Sequence, residues 1–119
     1  MASRVLNGNS VAVTDNGTPG AQIYAAPTTA GLKVRCLVYA TNVGGTLRSI
    51  TVEHDRGAGH PTATGIIDVV DNLTLALEGY QQLVADVVLF GHGSDSDALD
   101  AFVSAGTVNF TVIATELDS

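Results

Sequence analysis

Tryptophan is absent from this 119-residue chain, cysteine and methionine occur once each, and aromatic residues make up 5%. A single cysteine, Cys36, excludes an intrachain disulfide. It stands in an apolar alternation, where a free thiol behaves as a small buried hydrophobe. Basic residues are also scarce. Arg4, Lys33, Arg35, Arg48 and Arg56 are the only five, no two are adjacent, and against 12 acidic residues they leave a net charge of −7. That balance argues against nucleic acid as a partner, because such affinity comes from Lys and Arg neutralising phosphates. No run approaches the ~20 apolar residues of a membrane helix. The opening "MASRVLNGNS" has no apolar stretch of the kind a secretory signal needs, so we expect synthesis in a cytosol and no membrane partner.

What is present is a mildly hydrophobic, weakly charged chain: 45% of residues are hydrophobic and 14% charged, which excludes wholesale disorder. The length suits one domain with one core. So little charge also suggests a surface covered in part by another protein.

Short alternating segments dominate. The segment from Met1 to Gly20 is rich in Asn, Gly and Ser. It reads as an N-terminal arm that can pair with its own sheet or cross to a neighbour. From residue 21 to 119 we expect a single domain. "GLKVRCLVYATN" places Val34, Cys36, Val38 and Ala40 on one face, with Lys33, Arg35, Leu37, Tyr39 and Thr41 on the other. "VGG" predicts a tight turn into "TLRSITVEH", where Ile50 and Val52 oppose Ser49, Thr51 and Glu53. "DRGAGHPTATG" is a loop of about ten residues, long for a hairpin. "IIDVVDN", "LTLAL" and "VADVVLF" are β-type runs. "TVNFTVIATEL" sets Val108, Phe110, Val112 and Ala114 on one face. Two stretches also fit a helix: Leu73, Leu77, Tyr80, Val84 and Val87 share a helical face, as do Leu99, Phe102 and Val103 in "SDALDAFVSAG". The expected fold is all-β: a two-sheet β-sandwich, jelly-roll-like, with about seven or eight short strands and room for one short helix.

The order of motifs resembles that of a group of small β-sandwich proteins of tailed bacteriophages. "IYAAP" is followed by a strand ending in "YATN", then "GGTLRSITVEHD", "NLTLALEGYQQL", the Asp-led "SDALDAF" and the closing "AGTVNFTVIATEL". The match runs from about Gln22 to Leu117. "FGHGSDSDALD" departs from it, being longer and more acidic, with Ser96-Asp97 in place of the usual Gly-Asp. The resemblance implies a virion part: a capsid decoration (cement) protein, a head fibre, or a tail, adaptor or baseplate module. On that basis the expected partner is a major capsid protein, the expected assembly a homotrimer, and the expected location the capsid surface after synthesis in a host bacterial cytoplasm. The expected tethers are the arm and the loop 55–63, with Arg4, Asn7, Val11, Val13, Asp55, Arg56 and His60 as partner-binding residues. A carbohydrate- or receptor-binding sandwich is the alternative, and it would use Tyr or Asp side chains near Asp95 to Asp100.

No pattern recommends catalysis, a cofactor or a metal. Asp95, Asp97 and Asp100 form the densest acidic cluster but lack the Gly and closing Glu of an EF-hand, so a solvated loop or a helix start is expected. His54, His60 and His92 could meet, with Asp55 nearby, yet His-x5-His with one distant His is poor zinc spacing, and surface histidines are the default. Ser94 and Ser96 near His92 and Asp95 make no triad, and "GHGSDS" fails the nucleophile elbow. The glycosylation matches at Asn16, Asn72 and Asn109 are expected by chance. Tyr24 is expected at the rim of the core; Tyr39 and Tyr80 could lie there or in an interface.

Overall fold

Alternation of Val, Ile and Ala with polar residues gives each strand one apolar face, which must be buried against another. Among the described residues the chain meets this demand with eight strands: β1 (Arg4–Val13), β2 (Ala21–Ala25), β3 (Lys33–Asn42), β4 (Ser49–Arg56), β5 (Gly65–Thr74), β6 (Gln81–Phe90), β7 (Ala98–Val103) and β8 (Val108–Leu117). The computed structural model describes residues 4–44, 46–60, 65–75 and 81–117. The strands form two four-stranded sheets, in the orders β1-β8-β3-β6 and β2-β7-β4-β5, and every pairing is antiparallel. β1 pairs with β8, β2 with β7, β3 with β6 and β4 with β5. This is one long hairpin rolled into a sandwich, the strand order of a jelly roll. Among the described residues there is no helix, and so none long and apolar enough to cross a membrane.

The inner faces follow the sequence pattern closely. Val34, Cys36, Val38 and Ala40 of β3 are buried, as are Val108, Phe110, Val112 and Ala114 of β8. They meet Ile50 and Val52 of β4 and Leu99, Ala101 and Val103 of β7 across the sandwich. Burial first, then the Asp86 charge, pushes the Cys36 thiol up to about 12, so it stays protonated. Tyr24 is buried in the same core, and burial raises its pKa.

Several expectations are corrected. "VGG" does not close a hairpin between β3 and β4, which lie in different sheets; its last residue, Gly45, lies outside the described residues. At that end Arg48 clamps the connections, its Nη1 donating to Asn42 Oδ1 (2.9 Å) and to the Thr107 carbonyl (3.1 Å). "SDALDAFVSAG" is not a helix but holds β7, a central strand, with Leu99 and Val103 facing the core and Phe102 opposite. Its helical periodicity was misleading because both faces of the strand are covered, so no clean alternation is needed. The other helical candidate is divided: Leu73 belongs to β5, Val84 and Val87 to β6, while Leu77 and Tyr80 lie outside the described residues.

The N-terminal segment contributes β1, an edge strand of its own chain's sheet, with Arg4 opposite Glu116 and Asn7 opposite Ala114. Val11 packs partly buried against the core, and Val13 is fully buried within it. Val13 is therefore a core residue, its side chain closed to a partner. Residues 14–20 then fold over the second sheet. The Gly20 amide donates to Glu53 Oε1 (2.9 Å) and the Thr18 hydroxyl to Glu53 Oε2. Gly20 lies so near the Ala101 backbone that a Cβ would come within 2.3 Å of its carbonyl oxygen.

Two acidic groups of this sheet, Glu53 and Asp100, are buried. Asp100 is paired in register with Glu53 on one side and Gln22 on the other. Burial first, then the charges of Asp55 and Glu53, raises its pKa to about 6. A carboxyl with a raised native pKa favours the fold below its ordinary value of 3.8 and weakens it as the pH climbs through 6. Asp100→Asn, which mimics the protonated form, is expected to stabilise the protein by about 1–3 kcal/mol at pH 7–8. That gain over wild type should vanish near pH 4 in thermal melts. Phe110, the largest fully buried side chain, sits between Val11 and Ala40 in register. Phe110→Ala should cost about 3–5 kcal/mol in urea unfolding.

Candidate functional site

Three connections converge at the end of the sandwich opposite Arg48: those after β2, β4 and β6. Two of them carry histidines set among glycines, "GAGH" and "GHG". Gly91 lies against the β2–β3 connection, where a Cβ would come within 2.3 Å of the Thr29 carbonyl oxygen. Gly59 lies against His92, with 2.6 Å from an added Cβ to the His92 Cβ. The absence of side chains at these positions lets the loops close until their imidazoles meet.

They meet on Asp97, which is completely buried. His54, the core-facing residue near the end of β4, approaches Asp97 Oδ2 through Nε2 at 3.0 Å. His92 approaches Oδ1 through Nε2 at 2.8 Å. His60 Nε2 lies 3.5 Å from Oδ2. Backbone amides complete the shell: Gly57 N–H donates to Oδ1 (2.9 Å) and Phe90 N–H to Oδ2 (3.2 Å). Because an ionised carboxylate only accepts, His54 and His92 are the Nε2–H tautomers, donating to it. The His60 ring stacks edge-on against His54, His92 and Phe90, with centroids 5.5, 5.9 and 5.5 Å away.

Burial alone would raise the Asp97 pKa. The donors His92, Gly57, His54 and Phe90 together outweigh it and hold the carboxyl below its ordinary 3.8. The ionised group thus stabilises the fold at all pH values above 3.8, and that contribution is lost as the pH falls through the lowered native value. His60 is shifted down, chiefly by burial; Asp97 opposes this, while His54, Arg56 and His92 add to it. Beside Asp97, the Asp95 Oδ2 accepts from the Ala58 amide and its Oδ1 is buried with no hydrogen-bond partner.

The sequence-derived candidates are redistributed by this geometry. His54, His60 and His92 do converge, but around Asp97 in place of Asp55, and they are mostly buried rather than surface residues. The acidic cluster is neither a solvated loop nor a helix start. Asp97 is enclosed by imidazoles, and Asp100 is buried on β7 between Glu53 of β4 and Gln22 of β2. The two buried carboxylates are thereby withdrawn from any open sugar-binding face. Asp55 and Arg56 end β4, opposite Ile66 and Gly65. The loop 55–63 is described only as far as His60. Asp97 was missed as the centre of the cluster, and the available signal was glycine flanking each loop histidine. Comparison with family models, curated proteins and solved structures finds no match for the chain.

Asp97→Ala removes the acceptor for two imidazoles and two amides, and should cost about 2–5 kcal/mol of stability in denaturant titration. Any slowly exchanging imidazole N–H resonances of His54 and His92 should vanish with it.

Proposed function

We propose that this chain is a structural protein of a tailed-bacteriophage virion, a trimeric decoration protein that binds the major capsid protein and clamps neighbouring capsomers. The observation that carries this reading is the edge of the second sheet. β5 is ten residues long and lies last in its sheet, with Ile66 and Ile67 at 40% and 43% exposure. The neighbouring edge of the other sheet, β6, adds Leu83 at 52%. Sheet edges are usually blunted by charge, proline or a short strand, because an open ladder invites pairing with another chain. β5 has only Asp68 and Asp71 along its length. A long apolar edge of this kind is suited to β-augmentation, in which backbone bonds supply affinity and alternate side chains supply specificity.

The order of sequence motifs supports the same assignment. The mechanism is binding without chemistry: a shell under pressure fails when capsomers separate, and a clamp across them must be broken first. A trimer can match a local three-fold axis of the shell and gain avidity from three contacts. With β1 built into the sandwich, β5 and not the N-terminal arm is the tether in this reading.

The discriminating experiment uses Ile66→Lys/Ile67→Lys in particles. The double variant should fold with an unchanged thermal midpoint, yet occupy the capsid at least ~10-fold less than wild type, the cost of about 1.4 kcal/mol per site. Normal occupancy would exclude β5 as the tether. Gel stoichiometry against the major capsid protein separates the locations: hundreds of copies per particle place the chain on the head, whereas six or twelve place it in the tail.

A further inference from the structure

We propose that His54, His60 and Asp97 form a binding site for one divalent transition-metal ion of the zinc type, with His92 as the residue that positions the carboxylate. One ligand atom from each of the three lies within 4.8 Å of the others. Zinc binds imidazole nitrogen and carboxylate oxygen at about 2.0–2.1 Å, which sets neighbouring tetrahedral ligands about 3.3 Å apart. The two nitrogen-to-Oδ2 distances, 3.0 Å for His54 and 3.5 Å for His60, bracket that spacing. An ion can therefore enter with small side-chain adjustments, the His54 proton passing from Nε2 to Nδ1 so that Nε2 is free, and His54 and His60 then ligate as neutral imidazoles.

His92 plays a different part. Its Nε2 addresses the other carboxylate oxygen, Oδ1, at 2.8 Å, alongside the Gly57 amide. Donors on the free oxygen of a ligating carboxylate fix its orientation, as outer-shell partners of metal ligands do. A second carboxyl group stands beside the site: Asp95, whose Oδ1 is buried without a hydrogen-bond partner. The donor set, two nitrogens and one oxygen, suits zinc, cobalt, nickel or copper over magnesium or calcium, which take oxygen ligands. The ligands come from the end of β4, the β4–β5 connection and the β6–β7 connection. One ion would thus tie three separate stretches of chain together and stabilise the native state by mass action. This site stands whether or not the chain belongs to a virion.

The test is zinc titration of the tag-free, chelator-treated full chain by calorimetry, with cobalt absorption as a second readout. Wild type is expected to bind one equivalent, to show the visible bands of cobalt in a four- or five-coordinate nitrogen–oxygen site, and to gain about 5 °C or more in Tm at zinc about 100-fold above Kd. His60→Ala, on the loop and outside the hydrophobic core, should stay folded and lose at least ~100-fold in affinity. His92→Gln should lose about 10–100-fold while keeping the stoichiometry, as expected of an outer-shell residue. Absence of saturable binding by wild type, or equal binding by a folded His60→Ala, overturns the site. Equal affinity in His92→Gln overturns the positioning role.

Discussion

An ionised carboxylate taken out of water costs several kcal/mol unless donors replace its hydration. At Asp97 that demand organises one end of the molecule. Four donors reach the carboxylate from the core-facing end of β4, the loop after it, the last residue of β6 and the turn that follows. Each also fixes the path of its own segment. The Asp97 backbone is engaged as well, its carbonyl accepting from Ala26 and its amide donating to Phe90. One residue thus joins three connections that would otherwise be independent surface loops.

The opposite end solves the same problem with a cation. Arg48 donates to Asn42 and Thr107, and its guanidinium lies where a Cβ on Gly106 or Gly44 would fall. Between the two polar ends the sandwich is ordinary: Val, Ile, Leu and Ala from both sheets interdigitate around Phe110. The polar clamps specify how the crossovers close; the apolar layers supply most of the driving force. On the flank bearing β5 and β6, Ile66, Ile67 and Leu83 are exposed, while Val84, Ala85 and Leu89 of β6 stay in the core.

How much of this was legible depended on the range of the interaction. The faces of β3 and β8 were read correctly, since alternation with period two is a local property and one face of each is fully buried. β7 was open to a helical reading because both its faces are covered, Asp100 included, and alternation then carries no signal. The pairing of β3 with β4 as a hairpin failed for another reason. "VGG" can serve a tight turn, yet whether the chain turns back in the same sheet or crosses to the other depends on strands far along the sequence. Asp97 looked like a loop acid because its environment comes from His54 and Gly57, about forty residues away.

By itself, the sequence determined the all-β class, the inner faces of the long strands, the burial of Cys36 and the exclusion of a disulfide within these 119 residues, all of which follow from residue type and local period. Only the tertiary structure decided which strands are neighbours, which edge lies open, and that three histidines and Asp97 share one site. Those outcomes rest on contacts between residues distant in sequence, and no local pattern encodes the meeting of side chains that the fold alone brings within hydrogen-bond reach.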